Sequence, residues 1–77
     1  MKMNAFIFEQ LKKKAAYAIR SNDSNLVYQC YGEAQMAHTL GAIGNKEFYF
    51  LNEALVVKWM NTGEKNRAEY AKSVSFA

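Results

Sequence analysis

Cysteine and histidine are the side chains best suited to act as nucleophile and base near neutral pH, and this chain has one of each, Cys30 and His38. On a single helix their eight-residue separation is a rise of about 12 Å, too far for a proton to pass between them. The chain otherwise offers only ordinary carboxylates such as Glu33 and Glu53. A structural zinc site takes four Cys or His ligands, and one of each leaves the set two short. Cys30 therefore reads as a small apolar filler and His38 as a half-exposed imidazole. No catalytic residue, metal or cofactor is expected, and the chain does not read as an enzyme.

The second chemistry to weigh is contact with nucleic acid. Lys12, Lys13 and Lys14, with Arg20 beyond, place four cations on the first predicted helix. Phe6 and Tyr17 fall off its apolar stripe, near Lys13 on the helical wheel. An aromatic ring among lysines can stack on a base while the ammonium groups meet phosphate. Lys12, Lys13, Lys14, Arg20 and Tyr17 are thus the candidate nucleic-acid residues. The bland alternative is a solvated helix face with aromatics packed under a neighbouring tail. A net charge of +3 and a pI near 9.1 permit such binding without requiring it.

These residues must be positioned by helices. The chain has 77 residues, 51% of them hydrophobic, and no proline. That composition excludes general disorder and favours an all-α fold in one domain. Ile7, Leu11, Ala15 and Ala18 form a helical stripe over about residues 4–20. Ser21-Asn22-Asp23-Ser24 ends it and supplies N-cap candidates for a second helix over about 23–40, whose inner side carries Leu26, Cys30, Ala34 and Ala37. Gly41 suits the left-handed position after that helix. Gly44 as N-cap, Glu47 at N3 and the Ile43/Phe48 staple pair predict a third helix over about 45–62. Thr62-Gly63 stops or bends it. Residues 63–77 read as an extension, with a short helix around Arg67 to Lys72 and a frayed end. The expectation is a compact three-helix bundle with a C-terminal extension.

The third helix has more apolar surface than a small core needs. Phe48, Leu51, Leu55 and Trp59 make the core stripe at α-helical spacing. Phe50, Ala54, Val57 and Asn61 remain on the far side as a heptad-like seam, with Glu53 at its edge. Either the C-terminal segment covers this seam through Tyr70, Val74 or Phe76, or another chain does. An exposed apolar patch usually marks an interface. Phe50, Ala54, Val57, Asn61 and Glu53 are accordingly the candidate protein-interface residues, with a second copy of the chain or a larger protein as partner. Gly32, inside the second helix, hints at a close approach by another chain.

The segment Met36-Ala37-His38-Thr39-Leu40-Gly41-Ala42-Ile43 resembles the first helix and turn of the helix-turn-helix family. That resemblance implies a small DNA-binding regulator, the alternative function here. The resemblance stops at Glu47, where the family has an apolar residue, and the following helix is aromatic and aliphatic where a recognition helix needs polar and basic side chains. More broadly, Tyr31 to Ile43, then Glu47-Phe48 and Leu51-Asn52, is similar to small helical accessory proteins of phages and other bacterial mobile elements. This implies a non-catalytic protein that binds a larger host or defence protein and modulates or inhibits it. The apolar run from Met3 to Phe8 is too short for a signal-peptide core, and the run from Phe48 to Met60 is shorter than the roughly 20 residues needed to span a bilayer. A cytoplasmic location without membrane contact is expected.

Overall fold

The computed structural model describes residues 5–76 and is all-helical, with no strand among the described residues. Helix α1 runs Ala5–Arg20 and α2 runs Ser24–Thr39. Helix α3 begins as an α-helix over Asn45–Asn52 and continues as a π-helix over Glu53–Met60. A fourth helix, α4, runs Glu64–Ser73. The all-α expectation holds, and the expected three-helix bundle with an extension gains a full fourth helix. The predicted first helical residue, Asn4, and the last residue, Ala77, lie outside the described residues.

The helix ends follow from local chemistry. Asn22 adopts the left-handed conformation (φ 50°) between α1 and α2. Asp23 then caps α2, its Oδ1 accepting from the backbone N–H groups of Asn25 at 2.9 Å and Leu26 at 3.4 Å. After α2 the chain turns at Gly41 (φ 77°). The Ala42 N–H reaches back to the Ala37 carbonyl and the Gly41 N–H to that of His38. This paired bonding is a Schellman motif, and the positive φ explains the glycine. Gly44 is the N-cap of α3, and Glu47 sits in the first turn, where a carboxylate favours the helix dipole.

The π segment has a clear packing consequence. Its backbone closes i→i+5, as in the 2.8 Å bond from the Asn61 N–H to the Val56 carbonyl, so each turn takes slightly more than four residues. Residues four apart then stack along one face rather than drifting around the helix. Leu51, Leu55 and Trp59 are all buried; Asn52, Val56 and Met60 are all half-buried; Tyr49, Glu53, Val57 and Asn61 are all exposed. A regular α-helix over 45–62 was expected, and the π geometry replaces its second half.

One core joins the four helices. Leu11, Ala15, Ala18 and Ile19 of α1 meet Val27, Cys30 and Ala34 of α2, with Leu51, Ala54, Leu55 and Trp59 of α3 and Val74 after α4. Helix α4 packs on α1 and on the π half of α3, and has no contact with α2. Its main anchor is polar. The Arg67 side chain donates from Nε to the Trp59 carbonyl and from a terminal nitrogen to the Met60 carbonyl, both at 2.7 Å, and its guanidinium lies 4.4 Å from the centre of the Trp59 ring. Trp59 in turn donates from Nε1 to Asn22 Oδ1 at 3.1 Å. The Arg67 bonds supply the Met60 carbonyl with a partner at the end of α3 and add a second donor to the Trp59 carbonyl, which also accepts the Thr62 N–H at 3.3 Å. No helix among the described residues is long and apolar enough to cross a membrane.

Candidate functional site

Cys30 and His38 have separate surroundings. Cys30 is buried between α1 and α2, its Sγ 3.9 Å from the Leu11 carbonyl. Burial pushes its thiol up to about 11, Glu33 adds to the rise and Lys14 opposes it. A thiol of that kind is a poor nucleophile. The His38 ring stacks on Phe48 at 4.5 Å between centroids, and its Nε2 lies 2.7 Å from Asn45 Oδ1. It thereby ties the end of α2 to the start of α3. Among the described residues, no group of three or more His, Cys, Asp or Glu side chains is placed to hold a metal.

The lysine run divides among three environments. Lys12 pairs with Glu9 at 2.9 Å and lies 4.9 Å over the Phe8 ring. Lys14 reaches both Glu33 oxygens at 3.3 Å, across to α2. Lys13 and Arg20 are exposed on the outer side of α1, and Tyr17, also exposed, lines a hollow toward α2 with Lys14, Leu26 and Glu33. Two of the four candidate cations are thus engaged with carboxylates of the same chain, and the charge open to a phosphate backbone is smaller than the sequence implies.

The seam predicted on α3 is split by the π geometry. Ala54 is only 4% exposed, and its carbonyl accepts a 3.3 Å hydrogen bond from the Tyr70 hydroxyl of α4. It is therefore part of the core and not, as the sequence pattern suggests, an interface residue. Phe50 keeps 41% of its surface, yet its ring meets Phe8 at 5.9 Å and Phe76 at 5.2 Å, both edge-on. The C-terminal segment thus covers this half of the seam in part, through Phe76 and Tyr70, one of the two covers weighed from the sequence. Glu53, Val57 and Asn61 remain exposed on the outward line of α3. Between α3 and the C-terminal segment lies an open groove of about 540 Å³ lined by Phe50, Glu53, Lys58, Tyr70, Val74 and Phe76. Burial, then the nearby Glu53, raises the pKa of the Tyr70 phenol above its ordinary value. Gly32 is exposed with open space where a Cβ would stand, so no neighbour in the chain requires it.

A more apolar surface lies elsewhere. Between α1 and α2 runs an open groove of about 400 Å³, floored by Ile7, Leu11, Ala37 and Ala42 and flanked by Met36 and Leu40. Met36 is 59% exposed and Leu40 65%. The Lys14–Glu33 pair lies along it. The rim of this site lies off the inner stripe of α2 that the sequence pattern picks out. The available signal was Met36 and Leu40 themselves, two large apolar residues one helical turn apart, off the stripe of Cys30, Ala34 and Ala37. No family model, no curated protein and no solved structure matches the chain.

Proposed function

We propose that this protein is a non-catalytic docking module that receives another polypeptide in the groove between α1 and α2. The observation that carries this proposal is the pair of exposed side chains, Met36 and Leu40, beside a floor of Ile7, Leu11, Ala37 and Ala42. Leaving side chains of that size in water forgoes about 1.5–3 kcal/mol each. That is a large sum for a small domain whose whole stability is about 5–15 kcal/mol. Methionine at the rim suits such a role, because its unbranched, polarizable chain adapts to an incoming surface. The similarity of residues 31–43 to small accessory proteins of phages and mobile elements fits a protein that acts in the cytoplasm by occupying a surface of a larger host or defence protein. A buried, protonated Cys30 and a His38 engaged with Asn45 support binding over catalysis.

The proposal is tested by placing a photo-crosslinking residue at position 36 or 40 and irradiating producing cells. Defined adducts are expected from both positions. None is expected from position 28, which is equally exposed but outside the groove. Adducts from 28 as abundant as those from 36, or no adduct from 36 and 40, would overturn it.

A further inference from the structure

We infer that the polypeptide received by the α1–α2 groove is a second copy of this chain, in a twofold dimer. This inference rests on the docking proposal above and specifies its partner. A twofold interface must be self-complementary, with one patch offering both the projections and the recess that takes them. The α1–α2 face has both. Met36 and Leu40 project beside a recess floored by Ile7, Leu11, Ala37 and Ala42. Rotated about an axis through this face, one copy lays its two projections in the partner's recess and receives the partner's two in return. The volumes agree: an apolar cavity of about 150 Å³ holds a benzene molecule, so 400 Å³ takes about two side chains of leucine or methionine size.

For two copies of this chain, charge selects the same face. Two chains of net charge +3 repel at any surface that carries the excess. Among the described residues, the only charged ones lining this groove are Lys14 and Glu33, and they neutralise each other at 3.3 Å. The other apolar surfaces are less suited to self-contact. The outer side of α1 carries Lys13 and Arg20, which form no ion pair among the described residues and would bring like charges together, and the groove beside α4 is more polar, lined by Glu53, Lys58, Ser73 and Ser75.

The test is sedimentation equilibrium on the full chain at micromolar concentration, with far-UV circular dichroism to confirm the fold. The wild-type chain is expected at twice the 8.8 kDa of one copy. Leu40→Glu is expected at the mass of one copy, with an unchanged spectrum because Leu40 is 65% exposed. Its self-association should weaken about a hundredfold or more, since each dimer loses two buried leucines. Val57→Glu, on the outward line of α3, should remain a dimer. A wild-type chain that stays at 8.8 kDa overturns the inference. If a crosslinker at position 36 then still joins a foreign polypeptide, the docking proposal survives alone; if it joins nothing, both fall. A Leu40→Glu chain that remains dimeric also overturns the inference, because the copies then meet elsewhere.

Discussion

Arg67→Ala is expected to be the most damaging substitution at a residue that is not fully buried. The side chain donates two 2.7 Å hydrogen bonds to the Trp59 and Met60 carbonyls and covers the Trp59 ring at 4.4 Å. Hydrogen bonds involving a charged group contribute about 1.5–3 kcal/mol each, and a cation–π contact about 0.5–2 kcal/mol. Arg67 is only half-buried, so water can reach the freed carbonyls and the sum falls toward its lower end. We expect a net loss of about 2–4 kcal/mol. At about 0.05–0.15 kcal/mol per residue, the whole chain holds only about 4–12 kcal/mol. The melting temperature should therefore fall by about 10–25 °C. Urea unfolding, followed by the fluorescence of the single tryptophan and by circular dichroism, measures the loss directly. Arg67→Lys should recover no more than half, because one ammonium cannot fork across two carbonyls. An Arg67→Ala chain within about 0.5 kcal/mol of wild type, or full recovery by lysine, would refute the view that α4 is held by this side chain.

Two glycines should respond with opposite signs. Gly32→Ala fills open space inside α2 and should stabilise by about 0.5–1 kcal/mol, whereas Gly41→Ala forces a Cβ into a left-handed turn (φ 77°) and should cost about 1–2 kcal/mol; thermal melts that move the same way for both would contradict the helix-end assignment. The Cys30 thiol should resist alkylation in the native chain and react once urea unfolds it. Because its pKa rises from 9.0 to about 11 on folding, the native chain keeps a proton that the unfolded chain has released, so this group lowers stability as pH rises from 9 to 11. The loss is about 2–3 kcal/mol at 1.36 kcal/mol per unit. The raised Tyr70 phenol steepens the same alkaline limb. Cys30→Ala should remove the cysteine part, and a wild-type stability that stays flat across this range would show that the thiol titrates normally.

The fold was legible wherever the determinants are local. Asp23, Gly41 and Gly44 punctuate α1, α2 and α3 because caps and left-handed turns depend on a few adjacent residues. In the sequence α4 reads only as a short helix around Arg67 to Lys72 within an extension, because its segment has no apolar stripe and is held by an arginine reaching eight residues back. The π geometry was hidden for a different reason. Leu51, Leu55 and Trp59 are spaced by four, which suits a turn of 3.6 residues approximately and a slightly wider turn better. Phe50 and Ala54 could be placed on the back of α3 with Tyr70, Val74 or Phe76 as one possible cover, but choosing that cover over another chain depends on tertiary packing. The lysine run was visible as charge. The Lys12–Glu9 pair is local to α1, whereas the Lys14–Glu33 pair required knowing that α1 and α2 lie side by side. The α1–α2 groove has the same character: each wall belongs to a different helix, and the hollow between them exists in neither sequence segment alone.

The π segment also bears on how this chain tolerates changes in length. A turn closed i→i+5 uses one residue more than a turn closed i→i+4, so Glu53–Met60 holds slack that an ordinary helix lacks. Deleting one residue there need not pull Trp59 away from Asn22 and Arg67, because the segment can contract to α-helical closure and still span the distance. The deletion would instead rotate the helix surface, changing which side chains face Tyr70 and which face outward with Val57. In descendants of this sequence, a single-codon loss in this segment would redesign one face of the molecule while leaving its four-helix frame in place.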